Sequence, residues 1–276
     1  MISIITSLYK TDRYLDKFSQ HLKNFANELK SKNVPFEIIA IANDPTQRER
    51  QLEKELSSET WFSFVAVGRE SVFASFNRGF ALAKADILGW WNADDIRYSA
   101  AVVEAVNLFA KGAELVHFPF LVKRYFKFGP MNIPIPAQKV DKQIPQFSQN
   151  TKRQFLESMV CGPFFLFTRV LYERVGPFDE QFKIAGDLDW CIRAANKTDK
   201  FVKAKTIGGI FRVDGGGLSA GTNPRRTAEN NVVYVRNHSW DKIAVAEDLI
   251  IKDYRTKHLL CAGNFIALSQ FQKPPS

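Results

Sequence analysis

Between residues 2 and 95, short apolar runs rich in β-branched side chains alternate with segments of helical period, and few architectures satisfy that pattern. Residues 2–7 form the first run, which breaks at the polar Tyr9, Lys10, Thr11 and Asp12. Tyr14, Leu15, Phe18, Leu22, Phe25 and Leu29 then recur at the spacing of one helix face. Residues 36–42 form a second run, ended by Asn43, Asp44 and Pro45, and a charged helical stretch follows over 47–56. A third strand is predicted at 62–67, a glycine-containing helix at 71–85, and a fourth strand at 87–91 that ends in Asn92, Ala93, Asp94 and Asp95.

Continuously apolar strands separated by helices belong in a mainly parallel sheet covered on both faces, which makes the chain an α/β protein. Such a sheet holds its ligand outside the carboxyl ends of its strands. Tyr9, Asn43, Arg69 and Asp94 all fall at those ends and are expected to converge on one cleft.

Downstream, helices are predicted at 100–110, 152–160 and 169–175, with strands at 115–121, at 164–167 and within 198–210. Residues 126–150 hold several prolines and no period, which reads as a long functional or mobile loop. Gly215, Gly216 and Gly217 mark a flexible loop, and residues 228–272 read as mainly helical. The expected division is one large α/β domain over 1–222 and a helical C-terminal extension over 223–276.

Composition narrows the partners. The 24 Phe and 5 Trp either fill a core or line a site for ring-shaped ligands, and core filling is the more general use. A net charge of +9 suits anionic partners such as nucleoside diphosphates. Lys and Arg are spread along the chain without a stripe, so no nucleic-acid partner is expected. Cys161, Cys191 and Cys261 lie far apart without metal-ligand spacing, which fits reduced thiols in the cytoplasm. The first residues read as a strand and not as a signal peptide, and no apolar run approaches the ~20 residues that span a bilayer. Membrane contact is therefore expected to be peripheral, at the inner face.

Three segments carry the chemistry. Asp94 and Asp95, with the carbonyl oxygen of Asn92, stand where a strand ends and could hold Mg²⁺ or Mn²⁺ together with substrate phosphates. Paired acids at a strand end also serve as turn or capping residues. Gly186, Asp187, Leu188, Asp189 and Trp190 set carboxylates beside apolar neighbours, which raises a pKa toward the range of a general base. A helix N-terminus with Asp187 as cap is the alternative use. Residues 211–219 combine Arg212, three glycines and Ser219, a composition that lets backbone amides approach a phosphate or simply forms a flexible loop.

The order of these motifs resembles the inverting GT-A glycosyltransferases of family 2. Thr6, Ser7, Leu8, Tyr9 and Lys10 are similar to that family's opening strand and loop; Asn43 and Asp44 stand where paired aspartates end the second strand. Asn77, Arg78 and Gly79 match Asn-x-Gly, and Asn92, Ala93 and Asp94 are a variant of Asp-x-Asp. Gly176 to Glu180 match Gly-x-Phe-Asp-Glu, and Gly186 to Asp189 match Glu-Asp-x-Asp. The resemblance covers about residues 2–219. It implies a Rossmann-like GT-A sheet, mixed but mainly parallel with helices on both faces, and a nucleotide contacted by Tyr9, Asn43 and Arg78, with Arg69 and Asn92 in the same cleft. Asp94 would hold Mn²⁺ or Mg²⁺ with Asp95 assisting, Arg212 and Ser219 would face the diphosphate, and Asp187 would be the base. The implied reaction moves a sugar from a UDP-, GDP- or dTDP-sugar to the hydroxyl of a glycan or lipid-linked sugar, with inversion. Asn92 and Gly186 depart from the family pattern by replacing acids, and Asp214 stands where a histidine is common. Two alternatives remain open at this point: a sugar-phosphate nucleotidyltransferase and a catalytically silent nucleotide-sugar binding protein.

Overall fold

The computed structural model describes residues 1–128, 131–141, 161–213, 224–239, 249–252 and 259–262. The alternation of the first ninety-five residues becomes β1 (Ile2–Leu8), α1 (Leu15–Ser31), β2 (Phe36–Asn43), α2 (Gln47–Leu56), β3 (Phe62–Val67), α3 (Val72–Leu82) and β4 (Ile87–Trp90). β5 (Ile96–Arg97), α4 (Ser99–Ala110), β6 (Leu115–His117), β7 (Phe120–Phe128), β8 (Met131–Pro134) and β9 (Gln138–Val140) follow. Then come β10 (Leu166–Thr168), α5 (Arg169–Val175), α6 (Gly186–Ala195), β11 (Phe201–Lys203), β12 (Gly209–Val213) and α7 (Pro224–Arg236).

The main sheet has seven strands in the order β11-β6-β10-β4-β1-β2-β3. Every pairing is parallel except the two made by β10, which runs antiparallel to β4 and β6. Side chains of period two split its buried residues between two cores. Ile5, Ile39, Ile41, Leu88 and Trp90 pack on the face covered by α3, α5, α6 and α7. Ile2, Ile4, Leu8, Ile38, Ala40 and Ala42 pack on the face covered by α1, α2 and α4. The aromatic residues are mainly core: Trp90, Phe165, Phe167, Phe178 and Trp190 form one contiguous ring cluster.

Helix starts follow their caps. Thr46 accepts from the Glu49 N–H while Glu49 accepts from the Thr46 N–H, a reciprocal capping box, and Ser71 caps α3. Gly79 lets α3 lie against β1, because a Cβ there would collide with Ile5.

A second sheet, β5-β12-β7-β8 with β9 beside β7, pairs β12 antiparallel to β5 and so folds back over the end of β4. Here the sequence reading needs correction. The strand expected at 115–121 is two strands in different sheets, broken by Phe118 and Pro119. The run within 198–210 is likewise divided, residues 204–208 separating β11 from β12. The irregular segment 126–150 begins as a β7–β8 hairpin, since proline at position 134 is tolerated at a strand end. Among the described residues of the tail, helix is confined to α7, and Leu249–Lys252 pairs antiparallel with Leu259–Ala262, two runs whose apolar residues suit strands. The helix expected at 152–160 and the glycine loop at 215–217 lie outside the described residues.

Candidate active site

The carboxyl ends of β1, β2, β3 and β4 bring four loops to one edge. Lys10 and Asp44, just past β1 and β2, hold left-handed φ of 53° and 42°, a costly conformation for non-glycine residues and one that collects at functional edges. The Tyr9 ring is 36% exposed, and the Arg69 guanidinium lies 3.3 Å from its centroid. This stack joins the ends of β1 and β3 and offers a flat, cationic surface.

Asn43 stands behind that surface and is buried. Its Nδ2 donates to Ser75 Oγ at 2.9 Å, and its Oδ1 accepts from the Glu70 N–H at 2.9 Å. Arg78 is exposed and donates through Nε and Nη2 to the Glu70 carboxylate, the Nη2 bond measuring 2.9 Å. Two residues expected on the nucleotide are thus engaged in holding Glu70 and the start of α3. Asn77, beside Arg78, binds the Phe178 backbone through both ends of its amide and accepts from the Tyr172 hydroxyl. That joins the Asn-x-Gly match to the Gly-Pro-Phe-Asp-Glu match.

After β4, the Asp95 N–H donates to the Asn92 carbonyl at 3.0 Å, and Trp91 Nε1 donates to the Asp95 carbonyl at 3.1 Å. This closes a tight turn with Asp94 half-buried and Asp95 buried. Asp95 Oδ1 accepts the N–H of Arg212 from β12 at 3.0 Å. Burial, and then the charge of Asp94, push the Asp95 carboxyl well above the usual carboxylate range. The Arg212 guanidinium donates to the Tyr125 hydroxyl at 3.0 Å and lies 5.9 Å from the Tyr14 ring centroid. Arg97 is buried and ties the Trp90 carbonyl to the Phe164 carbonyl at 2.7 and 2.8 Å, with burial lowering its pKa to about 9.

Among the described residues no three His, Cys, Asp or Glu side chains form a metal cage. Mg²⁺ and Mn²⁺ need no such cage when one or two carboxylates act with substrate phosphates. The adjoining Asp94 and Asp95, whose mutual repulsion a cation would relieve, fit that pattern.

α6 carries the remaining acids. Its first residue, Gly186, packs on Phe73 in the first turn of α3, where a Cβ would lie 2.7 Å from the ring. This contact brings the start of α6 to the edge from which α3 departs, and it explains why glycine replaces an acid here. Asp187 is half-buried, and Oδ1 accepts the Leu188 N–H at 2.8 Å. Burial raises its pKa to about 6, with Glu229 adding to the rise. Asp189 is 2% exposed and paired with Arg193 and Arg236 at 2.8 and 2.9 Å. The two acids diverge, as residues two apart on a helix must. Ahead of them, the Glu229 carboxylate accepts from the N–H groups of Lys183, Ile184 and Ala185.

The structure therefore gathers Tyr9, Arg69, Asn43 and Arg78 at one end of the edge, and Asn92, Asp94, Asp95 and Arg212 at the β4 end. Ser219 and Asp214 lie outside the described residues. Sequence reasoning missed Glu70, Tyr14, Tyr125, Arg97, Glu229 and Arg236. Tyr14 sat in a helical pattern that already explained it, and the others have partners far away in the chain.

A parallel-rich sheet with these loops at its carboxyl edge, an acidic turn after the fourth strand and a second sheet folded over that turn is the GT-A architecture of glycosyltransferases. The description Glycosyl transferase family 2 matches residues 3–176, more than half of the chain, and the chain belongs to that family. Similar folds include S. aureus TarS 1–349 in complex with UDP-GlcNAc, with a TM-score of 0.62, 12% identity, and coverage of 90% of this chain and 68% of that one. Another is the mannosyltransferase PcManGT from Pyrobaculum calidifontis in complex with GDP-Man and Mn²⁺, with a TM-score of 0.58, 14% identity, and coverage of 86% and 64%. No curated protein matches the chain by sequence. Among the described residues, no helix is long and apolar enough to cross a membrane.

Proposed function

We propose that the chain transfers one sugar from a nucleoside diphosphate donor to an acceptor hydroxyl, by a single displacement that inverts the anomeric carbon. The observation that carries this reading is Asp187: a half-buried carboxylate at the start of α6, raised to about 6 chiefly by burial. That value is close enough to neutrality for a group that must be ionised yet basic.

The roles divide along the edge. The Tyr9–Arg69 stack supports the base of the nucleotide, with Asn43 and Arg78 acting behind it through Glu70. Arg212 and Ser219 would face the diphosphate. Asp94, with Asp95 and the side-chain oxygen of Asn92, would hold Mn²⁺ or Mg²⁺. When bound, the cation supplies neutralising charge for the departing diphosphate. Asp187 takes the acceptor proton as the bond to the anomeric carbon forms, while the cleft keeps the two substrates in line.

TarS with UDP-GlcNAc and PcManGT with GDP-Man and Mn²⁺ support a nucleotide sugar and a divalent cation as the first ligands to try. Family membership favours transfer over the nucleotidyltransferase alternative. The setting is glycan or polysaccharide assembly in the cytoplasm, with a glycan or lipid-linked acceptor that brings the enzyme to the membrane face.

Asp187→Asn tests the assignment. Transfer should fall ~10²–10⁴-fold while calorimetric affinity for the donor with Mn²⁺ stays within about twofold. Asp189→Asn should chiefly lower the melting temperature. Full transfer by Asp187→Asn beside a folded, inactive Asp189→Asn would move the base to Asp189.

A further inference from the structure

Glu229 is fully buried on α7, and proton transfer does not consume it. Its carboxylate accepts from the N–H groups of Lys183 at 2.9 Å, Ile184 at 2.7 Å and Ala185 at 2.9 Å, and from Arg225 Nε at 2.7 Å. Those three amides belong to the segment that leads directly into α6. Ala185 is the N-cap of α6 and has no side-chain cap to offer. Helix starts leave backbone N–H groups that need an acceptor. Here a carboxylate from a helix some forty residues on supplies it. At the far end of α7, Arg236 binds Asp189 and Asp179 at 2.9 Å each and lies 4.9 Å from the Phe182 ring. α7 therefore grips the segment before Asp187 and the residue two positions after it.

We propose that Glu229 is a positioning residue for glycosyl transfer, fixing from α7 the backbone turn that presents Asp187 to the acceptor. The proposal rests on the assignment of Asp187 as base. A buried anion that takes three consecutive amides fixes the position of that turn far better than solvent would, because loosening it leaves the carboxylate unpaired. The charges around Asp187 are few. Glu229 faces it from α7 with Arg225 as counter-ion; Cys191 lies one turn along α6 with Cys161 beside it. Burial keeps the Cys191 thiol neutral, and Arg193 pairs with Asp189. Glu229 is thus the one acid among the described groups that adds to the basicity of Asp187. The working unit of the transferase then extends through Arg236.

Glu229→Gln keeps the length and one acceptor oxygen but removes the charge. Carbon-13 labelling of aspartate carboxyls, with the Asp187 signal assigned by its loss in Asp187→Asn, reads the titration without any acceptor. The Asp187 midpoint should fall by at least about half a pH unit in Glu229→Gln. Hydrogen exchange at Lys183, Ile184 and Ala185 should quicken ~10-fold or more. Release of UDP from UDP-GlcNAc, or of GDP from GDP-mannose, with Mn²⁺ should show kcat reduced ~10-fold, donor KM within about twofold, and the acid limb moved to lower pH. Arg225→Met serves if Glu229→Gln fails to fold: it leaves the carboxylate uncompensated and should raise the Asp187 midpoint. An Asp187 midpoint and amide protection equal to wild type in a folded variant overturn the positioning role. If Asp187→Asn retains full transfer, the base assignment falls and this proposal falls with it. An inactive Asp187→Asn beside an unaltered Glu229→Gln overturns the positioning role alone.

Discussion

The donor edge and the start of α6 are organised in opposite ways. At the donor edge, polar residues satisfy one another through neighbouring loops: Asn43 holds Glu70 and Ser75, and Glu49 joins Thr11 to Thr46. At α6, Asp189 is paired from α7 by Arg236, and the backbone before Asp187 is held from α7 by Glu229. The donor edge repeats a strand-loop-helix unit and can be assembled locally. The turn that leads into α6 is held by charges distant in the chain, so its integrity depends on α7.

This contrast can be broken or sharpened by experiment. The largest effect is expected from Arg236→Ala, which removes a buried cation shared by Asp179 and Asp189. Stability should drop by about 3–5 kcal/mol in denaturant titration, because breaking a buried pair strands the remaining charge. A loss below about 1 kcal/mol would mean that Arg193 alone supports Asp189.

The next effect is pH-dependent. The folded state holds the Asp187 proton up to about 6, whereas the unfolded chain releases it near the ordinary aspartate value of 3.8. Folding therefore binds a proton, and the stability this contributes is fully present below pH ~4 and lost as pH rises through ~6. Asp187→Asn should gain stability over wild type across that window, by up to ~3 kcal/mol. Melting temperatures of both proteins from acid to neutral pH check this, and a constant difference between them would remove the raised pKa.

The smallest effect belongs to the donor edge. Asn43→Ala leaves the Glu70 N–H and the Ser75 hydroxyl short of a partner in a buried setting, at a cost of about 1–3 kcal/mol. Donor affinity should weaken together with stability, since Glu70 and Arg78 lose their anchor. Calorimetry on the folded variant measures this, and unchanged affinity would detach Asn43 from the nucleotide site.

Much of the donor half was legible in sequence because its determinants are local. Continuous apolar runs predicted β1 to β4, and the helices expected at 47–56 and 71–85 start where Thr46 and Ser71 cap them through hydrogen bonds three residues long. The region after Leu115 was less legible. Short strands such as Leu115–His117 and Phe120–Phe128 look continuous in hydropathy, and only sheet pairing assigns them to different layers. The site followed the same rule. Tyr9, Arg69 and Asp94 announce themselves at strand ends, whereas Glu229 reads as one more charge on an amphipathic helix until Lys183, Ile184 and Ala185 are seen to point at it. Asn43 and Arg78 were recognisable as family positions, but their partner Glu70 was not, since a lone glutamate after a strand carries no period or spacing.

The bond from the Arg212 N–H to Asp95 spans 117 positions of chain. A polypeptide emerging from the ribosome can pair β1, β2 and β4 early, while the acidic turn after β4 waits for β12, and the turn before Asp187 waits longer still for α7. Synthesis thus separates an early interval, in which the edge formed by β1, β2 and β4 can assemble, from a later one in which the turn before Asp187 is held. A nascent chain can fix the backbone on either side of Asp187 only once the segment through Arg236 has left the ribosome and docked.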